Sequence, residues 1–347
     1  MSKTVTETSK RKKEHIELCL TDKVAFNSKT NGFDNYEFIH NAVTEVDISK
    51  ISFKTKLFSK NIDYPFLISC MTGGTEEAEQ INERLAVIAE NLKIPIGVGS
   101  QRQALENKNH HNSYKVIRKT AKSVPVLGNI GAAQLVQSKN LKDVLSLIDM
   151  LEADAFVVHL NPLQELLQKE GEPYFVGLLK KLEKFIQKSK VPIIIKEVGS
   201  GISKEAAKKL LNLGVSGIDV AGAGGTSWAG VELLRNKSTQ NDFWDWGLPT
   251  SYCLKEIYPL KKKYHFTLIG SGGINSANDL AMAFALGSDI IASARIILQT
   301  LMNNDEDAVK KLIVNWFEHL KKIMYLTGSQ NLLLLKKDKI IKKELLF

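Results

Sequence analysis

Cysteine is scarce in this 347-residue chain: Cys19, Cys70 and Cys253 lie far apart and form no CxxC pair. That excludes a disulfide framework and a cysteine-built zinc site, and it fits a reducing compartment. Long apolar runs are missing as well. The longest near the C-terminus, from Ile290, is interrupted by Arg295, so no run spans a membrane. The first twenty residues are polar and charged. No signal peptide is visible there, and a cytoplasmic location is expected. Also absent are HExxH, a GxSxG elbow, GxxxxGK[ST], a His/Asp/Glu set with zinc spacing and an evident carboxylate pair for glycoside hydrolysis. Zincin, serine-hydrolase, P-loop and glycosidase chemistry are thereby set aside.

Basic residues outnumber acidic ones by 47 to 38, but the excess sits at the ends. Residues 1–13 carry net +4 and residues 336–344 net +3 of the total +9, so the body is near neutral. A nucleic-acid groove needs basic residues on the folded body, with aromatics or a reading helix among them. None is seen, and no nucleic-acid partner is expected. The C-terminal run reads as a solvated, frayed end.

Short apolar, β-rich runs alternate with longer amphipathic ones. The strands are expected at 65–69, 95–98, 126–129, 155–159, 192–196, 217–220, 267–270 and 289–292. Helical patterns fall at 76–92, 140–151, 174–189, 203–213, 251–263, 276–286 and 305–325, with the weakest around Tyr114 to Lys122. Continuous apolar strands alternating with helices imply a parallel sheet covered on its outer face. Eight units in about 260 residues is the size of a (β/α)8 barrel. The fold class is therefore α/β, a (β/α)8 TIM barrel with an N-terminal extension; an open doubly wound sheet is the structural alternative. The expected division is an extension over 1–63, a barrel over 64–330 and a basic tail over 331–347. Possible strands at 38–43 and 51–57 would cover the barrel bottom.

Active sites in this fold stand where strands end and the next loops begin. Polar residues and glycines cluster at each of those ends. The glycine turns Gly272-Gly273, opening a helix at Asn275, and Ser293-Ala294-Arg295 suit a phosphate dianion. Lys196 ends a buried strand and needs a partner there. It reads as a cation beside an electron-rich ring such as a flavin, as a Schiff-base lysine, or as half of an ion pair with Glu197 or another strand-end acid. Asn129 and Thr226 suit the edge of a heterocycle, or simply cap turns. Arg11, Lys12 and His15, with Ser100 and Arg102 at the rim, concentrate positive charge suited to a diphosphate. Glu165, beside Gln164, is a candidate ligand for a Mg2+ bridging that anion.

These segments, Arg11-Lys12-Lys13-Glu14-His15, Met71-Thr72-Gly73-Gly74, Gly99-Ser100-Gln101-Arg102, His159-Leu160-Asn161-Pro162-Leu163-Gln164-Glu165, Lys196-Glu197-Val198-Gly199 and Gly224-Gly225-Thr226-Ser227-Trp228, resemble type 2 isopentenyl-diphosphate isomerase, the FMN-dependent form. The resemblance covers about residues 10–330, and its His-x-Asn-x-x-Gln-Glu segment is the most specific. It implies FMN held by Met71, Thr72, Gly73, Ser100, Asn129, Lys196 and Thr226, with its phosphate at Gly273, Ile274, Asn275, Ala294 and Arg295. It implies a substrate diphosphate near Arg11, Lys12, His15, Ser100, Gln101, Arg102, His159 and Asn161. Gln164 would face the isoprene carbons and Glu165 would bind Mg2+. One departure is Asn275, where flavin barrels often carry Arg.

The implied reaction is the 1,3-allylic rearrangement of isopentenyl diphosphate to dimethylallyl diphosphate, in isoprenoid biosynthesis. The candidate catalytic side chains, Gln164 and His159, are poor acids for carbon. Reduced FMN is therefore expected as the acid/base, with NADPH only reducing the flavin at the start. The resemblance further implies a homo-oligomer, a tetramer or larger, with a small-molecule prenyl diphosphate as the substrate. The alternative is an FMN barrel oxidoreductase acting on a 2-hydroxy acid or a dihydropyrimidine. The long connection 221–250, with Trp228, Trp244 and Trp246, reads as a lid or as a subunit contact.

Overall fold

The computed structural model describes residues 7–238 and 242–346. An N-terminal helix α1 (Glu7–Cys19) leads to a short strand β1 (Tyr36–Phe38) and a hairpin of β2 (Thr55–Leu57) and β3 (Lys60–Ile62). Eight parallel strands follow: β4 (Phe66–Ile68), β5 (Ile96–Gly97), β6 (Val126–Gly131), β7 (Ala155–His159), β8 (Ile193–Lys196), β9 (Gly217–Asp219), β10 (Thr267–Gly270) and β11 (Ile290–Ser293). They pair in sequence order, and β11 returns to β4, closing the barrel. Closure removes the open-sheet alternative. A last strand, β12 (Ile340–Lys342), lies outside the barrel.

The strands are apolar on both faces because both are covered. Outward residues such as Phe156, Val158, Ile193 and Ile195 pack under the helices. Inward residues Leu67, Leu127, Ala155, Val157, Ile194, Ile269, Ile290 and Ala292 fill the lumen. Leu57 and Ile62 of the hairpin complete this inner cluster, so β2–β3 plugs the bottom. Between barrel strands, α2 (Glu76–Leu92) is capped by Thr75, whose hydroxyl accepts from Ala78 N. A short α3 (Arg102–Glu106) and α4 (Asn112–Thr120) then join β5 to β6.

Two features differ from expectation. Helix α1 carries no apolar stripe, yet it folds against the barrel mouth through polar contacts described below. The basic C-terminal run is not frayed. β12 pairs antiparallel with β1, Tyr36 opposite Lys342 and Phe38 opposite Ile340. Lys336, with its side chain only 5% exposed, bonds Asp289 at 2.9 Å, and Lys261 reaches the other carboxylate oxygen at 2.5 Å. The physical reason is that this lysine has a half-buried acid waiting for it at the foot of β11, so its charge anchors the chain.

Burial alone would raise the Asp289 carboxyl, but the two ammonium groups outweigh it and hold it below its ordinary value. A depressed carboxylate contributes stability above its unfolded value and loses it as pH falls through the folded one. Asp289→Asn is therefore expected to lower stability by roughly 1–3 kcal/mol at neutral pH, measured by urea unfolding. The gap to the parent should close below the ordinary aspartate value of 3.8. An equal gap at pH 7 and pH 3 contradicts the latch.

Candidate functional site

The period of two along a strand carries the lumen face upward from apolar to polar. Leu127 is followed by Asn129, Val157 by His159, Ile194 by Lys196 and Gly217 by Asp219. Register sets these neighbours side by side: His159 lies opposite Lys196, and Lys196 opposite Asp219. Of these, Asn129, His159 and Lys196 floor a cavity of about 260 Å3 at the strand tips. Lys196 Nζ pairs with Asp219 at 3.3 Å, and Ser271 Oγ donates to the same carboxylate. Of the readings open for Lys196, the ion pair with a strand-end acid is the one present. His159 Nδ1 donates to Asn129 Oδ1 at 2.9 Å. Burial, helped by the Lys196 charge, pushes the His159 imidazole down to about 4, so the ring is neutral at physiological pH.

One side of the cavity is formed by close-packed glycine turns. Gly272 and Gly273 have φ of +98° and +72°. A Cβ at Gly272 would lie 2.1 Å from Gly222 O, and one at Gly225 2.6 Å from Gly273 N, so the two turns touch backbone to backbone. Ile274, Asn275, Ala294 and Arg295 line the same side. Arg295 Nη1 is buried with no hydrogen-bond partner, an unmatched donor of the kind that calls for an anion. Asn275 contributes no charge, and its N–H is taken by Asp279 at 3.1 Å; Arg295 is the cation of this corner.

The other side is roofed by α1. Arg11, Lys12, His15, Ile16 and Cys19 all reach the cavity. Arg11 makes no ion pair among the described residues. Lys12 Nζ donates to Gly73 O, to Tyr114 Oη at 3.2 Å and more weakly to Ser100 O at 3.4 Å. Its burial, with the charges of Arg11 and Arg102, brings it down to about 7, while Glu106 works the other way. Arg102 is held by Glu106 at 3.1 Å and Glu172 at 3.3 Å.

What docks α1 is a buried polar hub centred on Glu232, whose carboxylate has no exposure. It accepts from His15 Nε2 at 2.9 Å, Gln164 Nε2 at 3.0 Å and Arg235 Nη1 at 2.5 Å. Arg235 also bonds Glu14 at 2.9 Å and Glu170 at 3.5 Å. Burial would raise the Glu232 carboxyl, but the His15 and Gln164 hydrogen bonds and the Arg235 charge bring it below its ordinary value. His15 is pushed down by burial against the pull of Glu232, so a neutral ring donates to an ionised acid. Asn161 completes the chain, donating to Gln164 Oε1 at 3.2 Å and Glu165 Oε1 at 2.9 Å. The second Glu165 oxygen accepts Glu172 N at 2.8 Å.

The structure thus brings together Arg11, Lys12, His15, Met71, Thr72, Ser100, Arg102, Asn129, His159, Asn161, Gln164, Glu165, Lys196, Thr226, Gly273, Ile274, Asn275, Ala294 and Arg295 around one cavity. Two expected residues stand elsewhere. Gln101 is fully buried behind the wall, its amide spent on Asn129 N at 2.9 Å and Leu147 O at 3.3 Å. Gly73 is backed against the Tyr114 ring, where a Cβ would come within 2.1 Å; it does not line the cavity. Glu232, Arg235, Asp219 and Tyr114 escaped sequence reasoning. Glu232 and Arg235 sit three apart on the helix Trp228–Arg235 and look like a surface pair. In the connection 221–250, Trp228 meets the His15 ring edge-on at 5.1 Å. Trp244 is fastened to Ala25 O at 2.7 Å. Residues 239–241 of that connection lie outside the described residues.

A family model for FMN-dependent dehydrogenases matches residues 142–342. Among curated proteins, the chain is 42% identical over 353 aligned positions to an isopentenyl-diphosphate delta-isomerase of Chlorobium phaeobacteroides, covering 97% of this chain and 96% of that one. It is 43% identical over 331 positions to the protein of the same name from Nostoc sp., covering 94% and 93%. Among solved structures, a flavocytochrome b2 variant superposes with TM-score 0.70 at 19% identity, covering 97% of this chain and 83% of that one. A mandelate oxidase does so with TM-score 0.64 at 15% identity, covering 95% and 97%. At those identities the solved structures speak to fold alone.

Removing one partner from a buried charged cluster costs about 3–5 kcal/mol, enough to loosen a single helix. Glu232→Ala is expected to free α1, so that trypsin cuts after Lys10 to Lys13 at least fivefold faster in otherwise folded protein. An unchanged cleavage rate contradicts the role of the hub.

Proposed function

We propose, from the premise that the chain belongs to the isopentenyl-diphosphate delta-isomerase family, that it moves the double bond of isopentenyl diphosphate to give dimethylallyl diphosphate. The observation that carries this reading is two separate groups of cationic side chains lining one cavity, each read here as an anion site. One stands at the tips of β10 and β11, the other at the tip of β5 beneath α1. An oxidase of a small 2-hydroxy acid needs a single carboxylate clamp and has no use for the Arg11, Lys12 and Arg102 group.

The first site fits FMN. Its unmatched Arg295 donor and the close-packed glycine turns suit a phosphate monoester. Gly273, Ile274, Asn275, Ala294 and Arg295 would hold that phosphate, and Met71, Thr72, Ser100, Asn129, Lys196 and Thr226 the ring system. When bound and reduced, FMN supplies an acid and base for the alkene. The side chains do not. His159 is a neutral ring whose N–H is committed to Asn129, and Gln164 is an amide with almost no proton to give. Gln164 is nonetheless fixed at both ends, by Asn161 and Glu232, so it presents a constant dipole to the five-carbon chain. His15, His159 and Asn161 bound the space between the two anion sites.

Glu165 is a single carboxylate, and the described residues hold no cluster of three metal-ligating groups. Such a site suits a Mg2+ that takes most of its remaining ligands from the diphosphate and water. NADPH as the reductant, assembly into a homo-oligomer, a cytoplasmic site of action and the division of the chain at residues 63 and 330 belong to the same proposal and rest on the family resemblance and the sequence pattern.

Purified protein supplied with FMN, NADPH and Mg2+ is expected to convert isopentenyl diphosphate to dimethylallyl diphosphate without net NADPH consumption. Turnover of a 2-hydroxy acid and none of the prenyl diphosphate would overturn the reading. Arg295→Met is expected to weaken FMN binding at least tenfold, followed by the flavin absorbance retained after gel filtration. Full retention would remove Arg295 from the phosphate site.

A further inference from the structure

Lys12 sits at a seam. Its ammonium meets Gly73 O from the loop after β4, Ser100 O from the loop after β5, and the hydroxyl of Tyr114 on α4. Tyr114 is fully buried, its ring packed on Gly73, and its hydroxyl donates to Ser100 O at 2.8 Å. The phenol therefore both donates and accepts, as a hydroxyl can. An ammonium has three N–H groups, and here each points at a protein oxygen. The weakest of the three contacts is the one to Ser100 O, at 3.4 Å. That oxygen already has a better partner in the Tyr114 hydroxyl.

We propose that Tyr114 is a positioning residue for the substrate's diphosphate: by keeping Ser100 O paired, it leaves one N–H of Lys12 free to turn to the anion while the phenol oxygen holds the ammonium in place. Without the hydroxyl, Ser100 O would be left under-paired and would draw the ammonium toward itself, and the N–H that the phenol had accepted would face the ring edge rather than the anion. Lys12 would then be present but turned away from its ligand. Tyr114 itself does not line the cavity and acts only through Lys12 and Ser100. This inference rests on the reading of the α1 side as a diphosphate site.

Calorimetry with inorganic pyrophosphate tests it, on FMN-loaded protein. Tyr114→Phe is expected to weaken binding about tenfold and to raise KM for isopentenyl diphosphate by a similar factor, with kcat within about twofold. In a Lys12→Ala background the same change should cost less than about twofold, because the hydroxyl acts through the lysine. An equal loss in both backgrounds, or no loss in the parent, overturns the inference. If Tyr114→Phe does not fold, a crystal structure of the parent with pyrophosphate decides: Tyr114 Oη should still bridge Ser100 O and Lys12 Nζ while the lysine touches the anion. A lysine that leaves the phenol to reach the anion overturns it. Absence of pyrophosphate binding by the parent overturns the diphosphate site itself, and this inference with it.

Discussion

The burial of one carboxylate governs how this site is assembled. Glu232 has no solvent contact, yet the His15 and Gln164 hydrogen bonds and the Arg235 guanidinium keep it ionised. Taking that charge out of water costs several kcal/mol unless every lone pair is met. His15 from α1, Gln164 from the short helix after β7 and Arg235 from its own helix meet them. The cost thereby becomes a constraint: α1 can dock in only one position that satisfies the hub. That position carries Arg11 and Lys12 over the barrel mouth. Apart from Ile16, which is buried in the core, the helix offers little apolar surface for docking, and polar complementarity supplies most of the reason.

A second constraint comes from strand geometry. Because side chains alternate, the lumen-facing rows that fill the barrel floor must emerge at the tips as Asn129, His159, Lys196 and Asp219. Charges so placed lie in a medium of low polarity and need partners there. Lys196 finds Asp219. His159 finds only an amide and a neighbouring cation, so it stays neutral. The floor thus presents one ion pair and several fixed dipoles, with no side chain poised to protonate carbon. That is the arrangement expected of a scaffold that holds a reactive cofactor and leaves the proton transfer to it.

Much of the barrel was legible because its signals are local. Pro192-Ile193-Ile194-Ile195-Lys196 announces a buried strand with a polar tip, and Gly272-Gly273 announces a tight turn before a helix. Each barrel strand fell within a few residues of its expected place. The wall residues of the site followed from the same logic, since a strand tip faces the cavity by topology. What sequence could not show were contacts made by long-range polar pairing. Helix α1 was missed because it docks through polar contacts of Lys12, Glu14 and His15 and one buried apolar residue, Ile16, rather than through a stripe of leucines. Gln101 was misplaced because the turn after β5 rolls that side chain inward toward Asn129 N, while its neighbours Ser100 and Arg102 stay at the rim. The C-terminal lysines looked like a solvated run until Asp289 supplied a partner 47 residues away.

The proposed diphosphate site is shared between the barrel tips and α1, neither being sufficient alone. Amide hydrogen exchange of residues 10–19, measured on the FMN-loaded protein with and without inorganic pyrophosphate, addresses it most directly. The account predicts that pyrophosphate slows exchange in α1 as strongly as in the loop carrying Ser100 and Arg102. Protection confined to that loop, with α1 exchanging at its ligand-free rate, would contradict it.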